Sequence, residues 1–158
     1  MLAVRFKFDE FEVDPANFQL RRSGSPVQIE RIQEIRAAIE LKRDNAMRAV
    51  KLLAPVAPYE GGGFDNCLAA YLRGEAYLAE HHGQEAAVEF QKMIDHRGVV
   101  SYSPTGALAR LGIARSYALL GDATRARAAY RDFLTLWKEA DPEIAILVAA
   151  KSEYARLN

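Results

Sequence analysis

Five residues of the stretch 69–98 have counterparts 40 positions further along the chain. Gly74, Tyr77, Ala86, Phe90 and Met93 match Ala114, Tyr117, Ala126, Tyr130 and Phe133, and the same step backwards reaches Glu34, Ala37, Ala46, Val50 and Leu53. Four of the five positions keep their size and polarity class through all three copies, and Glu34 marks the fifth. A fixed interval of this length builds stacked units that each bury an apolar face on a neighbour, rather than one closed core.

Each copy carries helical spacing. Gly74 and Tyr77 are three apart on one face of a first helix, and Ala86, Phe90 and Met93 form one stripe on a second. A small residue opposite a large aromatic lets the two helices approach closely while the ring fills the gap. The spacing predicts helices over 30–43, 45–56, 65–80, 84–96, 104–119, 122–139 and 142–157. Asp44-Asn45, Gly121-Asp122 and Asp141-Pro142 are the expected turns and caps, and Pro55 and Pro58 end the second helix. The seventh helix has no second member after it and suits a terminal cap.

This small–large alternation across an antiparallel helix pair resembles the tetratricopeptide repeat. The family's closing proline is matched by Pro58 alone, and its first-helix tryptophan is absent. PYEGGGFD and HRGVVSYSP lengthen the usual period of about 34 residues. The resemblance implies a mostly α fold: a right-handed solenoid of about three helix pairs plus a C-terminal capping helix, over 31–158. In that family the first helix of each pair lines a concave groove for a protein or peptide. Carried over by repeat position, the groove takes Ile35, Leu68, Tyr71, Glu75, Leu78, Leu108, Leu111 and Arg115, with Arg31, Ile39 and Leu119 beside them. Glu75 and Arg115 are expected to orient the bound segment. The chain's own N-terminal element, or a second copy in a homodimer, is the alternative occupant.

Residues 1–30 read differently. VRFKF, FEV, NFQLRR and PVQIE are short runs of aromatic and β-branched residues alternating with charges, separated by DE, DPA and SGS. They predict a small antiparallel β element whose Phe6, Phe8, Phe11, Val13, Phe18 and Leu20 lie against the first helical pair. RFKFDEFEVDPANFQLRRSGSPVQIE resembles the N-terminal sheet of the winged-helix DNA-binding domain of OmpR-type bacterial transcription regulators. The helical core and recognition helix of that family do not follow. Residues 55–157 resemble the tetratricopeptide tail of bacterial Ser/Thr kinases and multidomain winged-helix regulators. The leading expectation is a non-catalytic protein-interaction scaffold. The alternative is a transcriptional regulator with an incomplete DNA-binding domain.

Composition narrows the function classes. Lysine plus arginine and aspartate plus glutamate are 21 each, so no basic surplus attracts nucleic acid. One cysteine, Cys67, permits no internal disulfide. No apolar run reaches the roughly 18 residues of a membrane span, and charges from the fifth residue onward exclude a signal peptide, so a cytoplasmic protein is expected. His81 and His82 are adjacent on a helix and diverge by about 100°, which is wrong for chelating one ion. Gly61-Gly62-Gly63 lacks the lysine and hydroxyl of a phosphate loop, and no kinase signature is present. Asp95-His96-Arg97 has no nucleophile tied to it. Arg21, Arg22, Arg125, Arg127 and Arg131 read as solvated cations among acids. No cofactor or metal is expected.

Overall fold

The structure, a computed structural model, describes the backbone of residues 6–8, 11–14, 19–22, 25–27, 29–59, 67–96 and 104–157, and side chains within 32–57, 67–96 and 104–157. It is mostly helical. The α-helices are α1 (Ile29–Lys42), α2 (Ala46–Leu53), α3 (Cys67–Ala79), α4 (Gly83–Asp95), α5 (Pro104–Leu119), α6 (Ala123–Leu136) and α7 (Ala145–Ala155). A 3₁₀ segment, Ala54–Tyr59, continues α2 through the two prolines that were expected to end it. Four strands, β1 (Phe6–Phe8), β2 (Phe11–Asp14), β3 (Gln19–Arg22) and β4 (Ser25–Val27), pair antiparallel in sequence order. Their side chains lie outside the described residues, as do Gly61–Gly63, Asp65 and the expected contacts of Phe6, Phe8, Phe11, Val13, Phe18 and Leu20 with the first helical pair.

Helices α1/α2, α3/α4 and α5/α6 form three antiparallel pairs, and each pair turns in the same way. The amide of Asn45 donates to the carbonyl of Glu40 at 2.9 Å, that of His82 to Tyr77 at 2.8 Å, and that of Asp122 to Tyr117 at 2.9 Å. A left-handed residue closes each turn: Asp44 (φ 59), His81 (φ 59) and Gly121 (φ 75). These equivalent atoms are separated by 37 positions and then by 40.

The uniform period of 40 is therefore corrected for the first unit. Asp44 corresponds to His81, and α2 begins at Ala46 where α4 begins at Gly83, 37 positions on. In the observed register Ala37, Gly74 and Ala114 are equivalent, as are Ala49, Ala86 and Ala126. Leu53, Phe90 and Tyr130 form a third set, and Val56, Met93 and Phe133 a fourth. All twelve are buried. A slip of three residues is close to one helical turn, so the apolar stripe still matches when the register is wrong. The three extra residues lengthen α5 at its start: it begins at Pro104, three residues before the equivalent of Cys67. Glu34 ceases to be an anomaly of the Gly74 set, because its equivalents are Tyr71 and Leu111.

Each second helix sits between its own first helix and the next one. The first apolar cluster joins α1, α2 and α3 around Leu53; the second joins α3, α4 and α5 around Phe90; the third joins α5, α6 and α7 around Tyr130 and Phe133. Phe90 shows how the volumes are matched. A Cβ on Gly74 would stand 2.6 Å from its ring, and one on Gly112 would stand 2.5 Å from the same ring. The ring is gripped between two glycines, one from its own unit and one from the next. Tyr130, with one more heavy atom, instead shares its cluster with Ala114 and Ala150. First helices α1 and α3, and α3 and α5, also touch one another directly.

The C-terminal segment departs from expectation. Asp141 does not open a helix at Pro142. Its carboxylate accepts from the amide of Glu143 at 2.9 Å in a local turn, and α7 starts only at Ala145. Asp122 does cap α6 as its position suggests, accepting from the amide of Arg125 at 2.9 Å.

Candidate binding site

First helices expose one face along the array, and three charged residues mark it. Glu75 on α3 and Arg115 on α5 occupy equivalent positions, 40 apart. Glu153 on α7 stands next in line, one turn past Ala150. Arg115 places Nε 2.9 Å and a terminal nitrogen 2.8 Å from the two oxygens of Glu153, a forked ion pair. Tyr130, from α6 beneath, donates its hydroxyl to the same carboxylate at 2.8 Å. Tyr71 hydrogen-bonds Glu75 from one turn earlier on α3. The result is a ladder of alternating sign, Glu75–Arg115–Glu153, braced by a tyrosine at each end. On α1 the equivalent position is Ala38.

The electrostatics differ from rung to rung. Burial pushes the Glu75 carboxyl above its ordinary range; Arg115 counters this and Glu153 adds to it. Burial also acts upward on Glu153, but hydrogen bonds from Arg115 and Tyr130 outweigh it and hold that carboxyl low. Arg115 is held charged because Glu153 more than offsets its desolvation. Tyr71 is pushed up to about 12 by burial and by the neighbouring Glu75 charge. Burial raises Tyr130 in the same sense, with its bond to Glu153 second. Arg115 and Glu153 keep 28% and 29% of their side-chain surface in water, so a partner can reach the ladder.

Of the residues assigned to the groove from sequence, Tyr71, Glu75 and Arg115 come together on this face. Leu78 lies one turn beyond Glu75 on α3, half-buried against the second cluster. Leu68 is half-buried against the first cluster, and Leu108 is half-buried at the equivalent position of α5. Leu111 is corrected. At 1% exposure it belongs to the third core cluster with Leu147 and Ala150, because α7 covers it. Ile35 is also corrected. Its equivalents are Leu72 and Gly112, both buried toward the preceding unit, so Ile35, 61% exposed, faces the N-terminal end of the stack and not the ladder. Ile39 shares that end face, since its equivalents Ala76 and Ser116 are fully buried. Arg31 lies outside the described side chains.

Sequence reasoning missed Glu153 and Tyr130 as site residues. The available signal was a carboxylate within AILVAAKSEYA, a helix otherwise dominated by apolar residues. A second polar feature is buried and structural: Arg73 on α3 donates from Nε at 3.1 Å and from a terminal nitrogen at 2.7 Å to Glu89 on α4.

The other candidate residues are committed locally. His96 Nδ1 lies 2.7 Å from the carbonyl of Lys92, and His81 and His82 are exposed at the α3–α4 turn. Arg125 pairs with Asp122 and lies 4.4 Å over the Tyr117 ring, while Arg127 donates to the carbonyl of Leu157. A cleft of about 290 Å³ opens between α4 and α6 over α5, with Gln91, Arg110, Tyr117, Arg125 and Asp132 on its walls. Among the described residues no group of three His, Cys, Asp or Glu side chains is placed to hold a metal ion, and no helix is long and apolar enough to cross a membrane. Comparison with protein-family models, curated proteins and solved structures finds no match for this chain.

Proposed function

We propose that the chain is a cytoplasmic, non-catalytic interaction module that takes a segment of a partner protein on the face of its first helices. In this reading the three helix pairs form a tetratricopeptide-like right-handed solenoid, α7 closes its C-terminal end, and the N-terminal strands form a separate β element. One observation carries the proposal. The ladder Glu75–Arg115–Glu153 runs over the first helices α3 and α5 and onto α7, half-sunk and still open to water, with Leu68, Leu78 and Leu108 flanking it. A face of this kind offers fixed polar groups for orientation and aliphatic surface for burial. Its first helices touch one another while the cleft over α5 parts the second helices α4 and α6, which supports placing the ladder on the concave side.

A photo-crosslinking amino acid at Ala79 or Leu119, on the rim of this face, is expected to trap a protein from lysate of the source cells. The same probe at Val88, on an exposed second-helix face, is expected not to trap it. Equal labelling from Val88, or crosslinks to nucleic acid alone, refutes the proposal.

A further inference from the structure

We infer that the open end of the charge ladder, between Glu75 on α3 and Ala38 on α1, is a socket for a lysine or arginine side chain carried on an apolar stretch of a partner peptide. The inference rests on the proposed interaction function and names the chemistry that the same face selects.

The ladder is unbalanced. Glu75 and Glu153 flank Arg115, both donors of its fork go to Glu153, and Arg156 favours the Glu153 charge as well. Glu75 has Tyr71 as its hydrogen-bond partner, and among the described residues no cation stands within ion-pair distance of it. Burial makes that carboxylate costly to ionise, so a cation that reaches it gains an anion poorly compensated from within the protein. The groups facing it are Tyr71 from its own helix, Arg115 from α5 and Glu153 from α7.

Register leaves the next rung without a charge. The position equivalent to Glu75 and Arg115 on α1 is Ala38, a half-buried residue too short to reach across. Alternation from Glu153 through Arg115 to Glu75 therefore stops where a positive rung is due. One turn further along each helix stand Leu41 and Leu78, both half-buried, an aliphatic wall for the stem of a long basic side chain. An acidic peptide would instead meet Glu75 and Glu153 with Arg115 already engaged, which disfavours it.

The test pans a phage-displayed library of random twelve-residue peptides on the full chain and synthesises the enriched sequences. The expected result is lysine or arginine at one fixed position with apolar neighbours. Replacing that residue by norleucine is expected to weaken binding at least ~10-fold. Glu75→Gln is expected to cause the same loss, and the two changes together no more than either alone. Glu75→Gln removes an ionised group that burial disfavours, so its melting temperature is expected to equal or exceed that of the wild type. Ala38→Leu, which fills the rung from α1, supplies the same readout if Glu75→Gln folds poorly. Enriched peptides that lack a basic position, or that ignore both substitutions, overturn the socket and leave the interaction face standing if they still crosslink from Ala79. No enrichment, or crosslinking only from Val88, overturns both.

Discussion

Gly112→Ala separates packing from helix propensity, because the two predict opposite signs. In the interior of a helix, glycine to alanine is ordinarily worth about 1 kcal/mol of added stability. At Gly112 the new Cβ would lie 2.5 Å from Cε2 and Cζ of Phe90 and 2.6 Å from Cε1, about 1 Å inside normal carbon–carbon contact. The ring has little room to retreat, since Phe90 is fully buried and packs as closely on Gly74, where a Cβ would stand 2.6 Å from it. Overpacking of this kind costs about 1–3 kcal/mol, and a ring held on both sides belongs at the upper end. The net expectation is destabilisation by ~2 kcal/mol, a fall in melting temperature of about 4–8 °C for a chain of this size. Circular dichroism at 222 nm during heating measures it. Adding Phe90→Leu should return most of the loss, with a favourable coupling of about 1–2 kcal/mol in the double-mutant cycle. A Gly112→Ala protein as stable as wild type, or more so, would refute the grip described for Phe90.

Two further outcomes follow from the polar contacts. The Glu153 carboxyl is held low in the folded state, so its contribution is present above the unfolded value of about 4.3 and is lost as pH falls through the folded one. Glu153→Gln should therefore destabilise the fold at pH 7 by about 1 kcal/mol after allowing for solvent screening, read as a lower melting temperature, and flatten the decline below about pH 5. Melting curves from pH 7 to 3 decide it, and an unchanged acid limb contradicts the pairing. Arg73→Met leaves Glu89 buried with Lys92 as its other ion-pair partner among the described residues, and should cost about 3 kcal/mol in urea unfolding. Arg73→Met/Glu89→Leu should recover most of that, and a double variant weaker than the single one argues against a buried pair.

The helices were legible because each carries an apolar stripe at helical spacing, and the paired small and large residues Gly74 and Phe90 do meet. The register of the first unit was not legible. A three-residue slip nearly preserves a helical face, so Ala46, Val50 and Leu53 imitate Ala49, Leu53 and Val56, and only the turn at Asp44 separates the two alignments. Gly112 escaped notice for a related reason: it serves the ring of the preceding unit, and its equivalents are Leu72 and Ile35. Site residues transferred by period failed where the neighbourhood changes at an end of the stack. Leu111 is covered by α7, and among the described residues no helix pair precedes Ile35 to cover it. Glu153 was hidden because its partner lies 38 residues away on another helix, and neither residue alone announces the pair.

The grip on Phe90 also fixes where this chain can be divided. Half of that grip belongs to α3 and half to α5, so a cut between Asp95 and Pro104 strips one wall from an aromatic ring that otherwise meets no water. Between the first and second pairs the junction is made of alanine, leucine and valine, with no ring shared across it among the described residues. For anyone shortening the protein, α3 to α7 is one indivisible piece, whereas a cut before α3 parts no aromatic ring among the described residues and bares only the aliphatic cluster around Leu53.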